Sequence, residues 1–169
     1  MKQIKPSIFI IITSVFLLIY SMNVYGQETG DSSPWISFEE MVESNQNQPK
    51  KIMLFMEADW CGICKRMKRE VFPDTTIESI LNNKFYPVRI DIESKEEIQF
   101  IDERVTKEEL SKQFGIQGTP TIIFLDHDFS VIGNKVGFSD REELTALLNF
   151  ITDEQYNETN FEEYMQNTQ

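Results

Sequence analysis

The chain has only two cysteines, Cys61 and Cys64, and they lie three positions apart between a strand pattern and a helix pattern. The apolar run at residues 51–55 predicts a strand, and Met67 and Val71 have the spacing of a helix that begins near Cys61. Both sulfurs would then lie in the first helical turn, where unpaired backbone N–H groups and the helix dipole favour a thiolate. The pattern therefore predicts a redox-active dithiol at a strand-to-helix junction.

Two other interpretations of the cysteine pair stay open. A structural disulfide that closes a loop of about four residues would remove little entropy from the unfolded chain. A zinc site needs about four ligands, and the chain has one histidine, His127, far from the cysteines in sequence. Carboxylates would have to complete such a site. The chemistry favours the redox interpretation, without a metal or another cofactor.

Residues 1–26 have the features of an export signal. Lys2 and Lys5 precede an apolar run at residues 8–20, and the segment closes on Gly26. The run is shorter than the roughly 20 residues that a membrane-spanning helix requires, although an uncleaved anchor is an alternative. We expect cleavage, export to the periplasm or exterior of a bacterium, and no membrane insertion of the mature protein.

The charge and cysteine content exclude several classes of protein. The whole chain has a formal charge of −12. Residues 1–26 hold two lysines and no acid, so the remaining chain is more acidic still. Such a balance argues against binding to nucleic acid or to anionic lipid. One cysteine pair is too few for a disulfide-stapled scaffold, so we expect the pair to act on the thiols and disulfides of other proteins.

The chain beyond residue 26 divides into three predicted parts. A polar lead-in at residues 27–36 precedes one folded domain at 37–151, and an acidic, polar tail follows at 152–169. About 115 residues in the middle part are enough for one domain with its own core. The tail offers four candidate anchors to the fold, which are Tyr156, Phe161, Tyr164 and Met165.

Strands and helices alternate in the predicted domain and then give way to a hairpin. Capping-box patterns that begin at Ser37, Thr106 and Ser139 predict three helix starts, and Gly115 is expected to end the second of these helices. Further helices are expected from Cys61 to about residue 72, at 76–82 and at 96–101. The predicted strands are 51–57, 85–92, 121–125 and 130–136.

Two motifs within this order resemble those of the thioredoxin superfamily. Trp60-Cys61-x-x-Cys64 lies at the first strand-to-helix junction, and Gly118-Thr119-Pro120 lies just before the hairpin. The combination is similar to exported bacterial thioredoxin-like proteins and to the C-terminal domain of DsbD-type thiol-disulfide interchange proteins. The resemblance covers residues 38–151. It implies a thioredoxin-like α/β fold with a central mixed β-sheet flanked by helices, and an extra helical insertion at 93–104 before the cis-proline loop.

The resemblance also implies roles for individual residues. Cys61 would be the nucleophile that attacks a substrate disulfide, and Cys64 would resolve the mixed disulfide. Pro120 would be a cis-proline that faces the cysteines, and the backbone beside it would pair with the substrate chain. The implied substrate contacts are Trp60, Gly62, Ile63, Thr119 and Pro120.

Departures from the thioredoxin pattern bear on the direction of electron flow. Phe55 occupies the position of a buried aspartate that assists proton transfer in thioredoxin. Glu57 is a candidate substitute for that proton-transfer group, and the alternative is a solvated residue at a strand end. Gly62 and Ile63 lie between the cysteines where the isomerases have a histidine. Without that histidine a reductant or mild exchanger is favoured over a strong oxidant.

The resemblance therefore implies an exported thiol-disulfide oxidoreductase. Protein thiols and disulfides would be its substrates, and a membrane thiol reductase would supply its electrons. Two other functions stay open: a thioredoxin-like binding module without turnover, and a redox sensor in which residues 93–104 change conformation.

Overall fold

A computed structural model of the protein describes residues 34–168. The predicted signal peptide and residues 27–33 of the predicted lead-in lie outside the described residues. The elements in chain order are α1 (Phe38–Asn47), β1 (Lys51–Glu57), α2 (Gly62–Glu70), α3 (Thr75–Lys84), β2 (Phe85–Asp91), β3 (Glu97–Phe100), β4 (Glu103–Thr106), α4 (Lys107–Gln113), β5 (Thr121–Leu125), β6 (Val131–Val136), α5 (Arg141–Thr152), a 3₁₀ turn (Gln155–Asn157) and α6 (Phe161–Thr168).

Four strands form a central mixed sheet in the order β2-β1-β5-β6. β1 pairs with β2 in parallel and with β5 in antiparallel orientation, and β5 and β6 form the predicted hairpin. Thr121 at the start of β5 pairs with Met56 near the end of β1. The predicted class, an α/β fold with a central mixed sheet flanked by helices, is confirmed.

The alternation of side chains along β1 divides the core between the two faces of the sheet. Met53 and Phe55 point to one face, where they pack with buried residues of α2, α3 and α5. Leu54 and Met56 point to the other face, where α1, α4, β3 and β4 supply the apolar partners. All four of these side chains are fully buried, as the continuous apolar pattern of a central strand requires. Because both faces are covered, the end of β1 is held rigidly where the cysteines begin.

The predicted helical insertion at residues 93–104 is wrong, because the structure has a β-hairpin there. β3 and β4 pair with each other in antiparallel orientation and form a separate two-stranded sheet. Ile98 and Val105 lie opposite each other, and both are buried against the second core. Ile101 in the turn has a φ of 53°. A two-residue hairpin turn needs such a φ and usually has asparagine or glycine there, so this sequence gives no turn signal.

The predicted helix starts are confirmed at two places and shifted by one residue at the third. Ser37 and Thr106 each form a complete capping box with the glutamate three positions on. Gly115 has a φ of 66° directly after α4, as the end of a helix requires. α5 begins instead from Asp140, whose side chain accepts a hydrogen bond from the Glu143 N–H.

The segment after residue 152 folds back onto α5. Phe150 of α5 has ring centroids at 6.4 Å from Tyr156, 5.4 Å from Phe161 and 5.2 Å from Tyr164. Lys51 of β1 donates hydrogen bonds to Glu154 and to the Tyr156 hydroxyl, both at 3.1 Å. The predicted aromatic anchors therefore do attach the tail, and α6 adds a helix to the outside of the fold. No helix in the described range 34–168 is long and apolar enough to span a membrane.

Candidate active site

Cys61 and Cys64 lie at the predicted junction and are joined by a disulfide. The chain turns after β1, where the Cys61 N–H donates a hydrogen bond to the Ala58 carbonyl at 3.0 Å. Cys61 then caps α2, since its Sγ accepts a hydrogen bond from the Cys64 N–H at 3.0 Å. The Cys64 N–H, one of the groups at the start of α2 without a partner in the helix, thus points at the sulfur on which a thiolate would form.

The two cysteines differ in access to solvent. Cys61 is 4% exposed, whereas Cys64 is completely buried. Trp60 directly precedes Cys61, and Ile63 lies between the two cysteines. Their side chains are 64% and 51% exposed, which is unusual for side chains this large and apolar. A Cβ atom placed on Gly62 would meet nothing within 4 Å. The small surface that the cysteine pair still exposes therefore belongs to Cys61, and it lies beside large exposed apolar side chains.

The loop before β5 lies at the same end of the sheet. Since Thr121 pairs with Met56, the residues before Thr121 leave the sheet beside the turn that leads to Cys61. The Thr119–Pro120 peptide bond is cis. The Thr121 hydroxyl donates to the Gly118 carbonyl, and the Pro120 carbonyl accepts from the Gly137 N–H, both at 2.8 Å. These two bonds hold residues 118–120 in place where the loop enters β5.

The Thr119 hydroxyl has no bonding partner within the described residues, although its oxygen is buried. A buried hydroxyl without a partner is costly. The register of β5 on β1 places this residue at the end of the sheet where the cysteine turn lies.

Glu57 lies on the same face of β1 as Phe55, which is the face that α2 covers. Its side chain is 11% exposed and forms ion pairs with Lys68 of α2 and, at 3.9 Å, with Arg89 of β2. Lys68 lies one helical turn after Cys64. The ion pair with Lys68 therefore places the Glu57 carboxylate next to the cysteine helix.

An aromatic cluster lies where thioredoxin has its buried acid. Phe55 is fully buried and packs against Phe72 at 5.0 Å and against Trp35 at 5.7 Å between ring centroids. The Arg89 guanidinium lies 5.9 Å from the centre of the Trp35 ring. Trp35 lies in the segment predicted as a polar lead-in, but it is half-buried against this cluster. Its size and its place directly before a capped helix were the available signal.

Positive charge surrounds the cysteine helix. α2 carries Lys65, Arg66, Lys68 and Arg69, and the only acid in the helix is Glu70. Hydrogen bonds from Arg66 and then Arg69 lower the pKa of the Glu70 carboxyl, so it stays ionised well into the acid range. Residues 34–168 contain no group of three or more acidic, histidine or cysteine side chains that could hold a metal ion.

The comparisons with known proteins agree with this geometry. A family model described as a thioredoxin-like domain matches residues 38–152. The chain belongs to this family. A thiol:disulfide interchange protein DsbD of Pseudoalteromonas atlantica is 32% identical over 89 residues, which are 53% of this chain and 14% of that protein. The disulfide bond reductase DsbH of Chlamydia pneumoniae is 27% identical over 93 residues, which are 54% of this chain and 55% of DsbH.

Solved structures give the same fold. A thioredoxin-fold protein from Helicobacter pylori superimposes with a TM-score of 0.63 at 22% identity, and the match covers 80% of this chain and 84% of that one. Among the sequence relatives, the matched part of this chain spans about one seventh of the length of the DsbD protein and about half the length of DsbH. These matches establish the family and the fold of the domain that holds the cysteines.

Proposed function

We propose that the protein is an exported thiol-disulfide oxidoreductase that exchanges disulfides with protein substrates through Cys61 and Cys64. The observation that carries the proposal is a disulfide at the start of a helix in which Cys61 caps the helix and keeps a small exposed surface, whereas Cys64 behind it is completely buried. A structural disulfide has no need of this asymmetry, whereas a two-step exchange does. The named activities of the DsbD and DsbH relatives support the same chemistry.

The reaction runs in two exchange steps in the reducing direction. The Cys61 thiolate attacks one sulfur of a substrate disulfide, a new S–S bond forms to Cys61, and the other substrate sulfur leaves as a thiolate. Cys64 then loses its proton and attacks the Cys61 sulfur. The mixed disulfide breaks, the second substrate sulfur leaves, and the Cys61–Cys64 disulfide remains. The substrate gains two electrons and two protons, which the dithiol has lost.

The surrounding residues have distinct roles in this proposal. Trp60, Gly62 and Ile63 form the rim on which the substrate chain lies, and the backbone at Thr119 and Pro120 pairs with it. Glu57 takes up the proton of Cys64 through solvent, since its carboxylate lies on the face of β1 that the cysteine helix covers. A membrane thiol reductase restores the dithiol, because an exported protein has no soluble nicotinamide supply.

The direction of exchange follows from the residues around the sulfurs. Gly62 and Ile63 place no histidine between the cysteines. The single histidine, His127, lies in the turn between β5 and β6, where Asn45 donates to its carbonyl at 2.7 Å. Because that turn adjoins the start of β1 rather than its end, no imidazolium stabilises the Cys61 thiolate. We therefore assign the protein the role of a reductant or mild exchanger in the periplasm.

Two variants and a redox titration test the proposal. Cys61→Ser should abolish reduction of a protein disulfide, whereas Cys64→Ser should accumulate mixed disulfides that are released by dithiothreitol. Turnover by the Cys61→Ser variant would refute the assignment. Titration of the wild-type pair in glutathione or dithiothreitol buffers should give a midpoint closer to the thioredoxin value of about −270 mV than to the DsbA value of about −120 mV.

A further inference from the structure

An exposed basic surface lies beside the disulfide of this acidic protein. It consists of Lys65, Arg66, Lys68 and Arg69 of α2 together with Arg89 of β2. Five of the 16 lysines and arginines are thus gathered here, in a chain whose formal charge is −12. A cluster of positive charge on a protein of negative net charge attracts negatively charged partners to that part of the surface.

The acids that contact this surface leave it with an excess of positive charge. Glu57 pairs with Lys68 and Arg89, and Glu70 pairs with Arg66 and Arg69. Each carboxylate is therefore shared between two cations. Lys65 forms no ion pair with any residue in the described range. Asp59, two residues before Cys61, is a further exposed acid, and it forms no ion pair with a residue of this surface within the described range.

The spacing matches the reach of a substrate chain. A helix rises about 1.5 Å per residue, so Lys65 lies about 6 Å and Arg69 about 12 Å from Cys61 along α2. An extended chain advances about 3.3 Å per residue. Side chains about two to four residues from a substrate cysteine bound at Cys61 would therefore meet Lys65 and Arg69.

We infer that this basic surface selects disulfide-bearing polypeptides with acidic residues close to the reactive cysteine. The inference rests on the proposed exchange activity and deepens it by naming the substrate class. The net negative charge of the protein repels such a substrate, whereas the basic surface beside Cys61 attracts it. A basic substrate is drawn instead to the acidic surface away from the disulfide. The charge pattern therefore orients the encounter as well as favouring it.

The experiment measures the rate at which three peptide disulfides oxidise the reduced protein. Each peptide has one cysteine and is linked as a homodimer, and the cysteine is flanked by glutamates, by serines or by lysines. Rates are obtained by quenching with an alkylating agent. Assays are run at about 0.01 M and about 1 M salt, where the Debye length is about 30 Å and about 3 Å. We expect the acidic peptide to react about ten-fold or more faster than the serine peptide at low salt, and this ratio to approach one at high salt.

A pair of charge-matched variants locates the effect. Lys65→Gln/Arg69→Gln removes two exposed cations beside Cys61, and Arg66 still pairs with Glu70. Lys50→Gln/Lys84→Gln removes two cations that directly precede the parallel strands β1 and β2, at the end of the sheet opposite Cys61. The ratio of acidic to serine rates should fall several-fold in the first variant only.

The rate with the serine peptide separates this inference from the proposed function. If no peptide oxidises the dithiol, the exchange activity itself is refuted. If the serine peptide reacts but the acidic peptide gains nothing, or the lysine peptide is faster, the substrate preference is refuted. An equal loss of the ratio in both variants would also overturn it, since the effect would then come from net charge alone.

Discussion

The ion pair beneath the cysteine helix leads to an asymmetric prediction for stability. Glu57 has a side chain that is 11% exposed, whereas that of its partner Lys68 is 30% exposed. The second partner, Arg89, is 3.9 Å away from the carboxylate and about half exposed. Removal of Lys68 therefore leaves a nearly buried charge with one distant partner, whereas removal of the Glu57 charge leaves a lysine that can extend into water.

The expected magnitudes follow from this burial. Loss of one partner from a fully buried pair costs about 3–5 kcal/mol. Because Arg89 and residual solvent still stabilise the carboxylate, we expect Lys68→Met to cost about 2 kcal/mol. Glu57→Gln keeps the shape and leaves only a partly exposed lysine, so we expect about 0.5 kcal/mol. The double variant Glu57→Gln/Lys68→Met should be more stable than Lys68→Met alone, because the unpaired carboxylate is gone.

Urea unfolding of the oxidised proteins at neutral pH measures these differences. Circular dichroism follows the transition, and linear extrapolation gives the free energy of unfolding in water. Arg66→Met provides a matched control, because it removes a cation of the same helix from an exposed carboxylate, Glu70. It should cost well under 1 kcal/mol. If Lys68→Met costs no more than Glu57→Gln or Arg66→Met, the carboxylate does not depend on Lys68 and the reasoning fails.

Three further predictions concern the surroundings of the site. Thr119→Val removes a buried hydroxyl without a partner, so the melting temperature of the oxidised protein should stay level or rise, and a fall of several degrees would reveal a bond to that oxygen. Phe161→Ala should cost about 1–2 kcal/mol in urea unfolding, but almost nothing in a Phe150→Ala background, because the two rings pack at 5.4 Å. Partial burial acts to raise the pKa of Asp126, but hydrogen bonds from His127 lower it overall. Its contribution to stability is thus present above the unfolded pKa of about 3.9 and is lost as the pH falls through the folded value. The difference in melting temperature between Asp126→Asn and wild type should therefore be complete at neutral pH and shrink as the pH falls below the unfolded pKa of about 3.9.

The sequence predicts this fold where local signals and burial agree. The run at residues 51–57 is apolar because both faces of β1 are covered, and the caps at Ser37 and Thr106 satisfy free N–H groups at helix starts. The cysteine turn could be placed for the same reason, since it joins a buried strand to an amphipathic helix. Each of these features is encoded within a few neighbouring residues.

Features that depend on contacts between residues far apart in the chain could not be predicted from the sequence. The β3–β4 hairpin turns at Ile101, whose positive φ is held by the packed strands on either side rather than by its own preference. Phe100 packs on Phe38 and Phe129, which are far away in the chain. The Glu57 ion pairs likewise join three separate elements. Alternation indicates the face on which Glu57 lies, but the partner on that face is known only from the fold.

The placement of charge also bears on the direction of electron flow. Reduction of the disulfide replaces a neutral bond by thiols that can ionise, so nearby cations favour the reduced form and make the protein a weaker reductant. The apolar core that Cys64 shares with Phe55 and Phe72 keeps this thiol neutral, because a thiolate buried there would lose its hydration. The cations are mostly exposed and screened by solvent, whereas Cys64 is fully buried. Ionisation is therefore confined to Cys61, which favours attack by Cys61, and because the cations are exposed their shift toward a weaker reductant should be small.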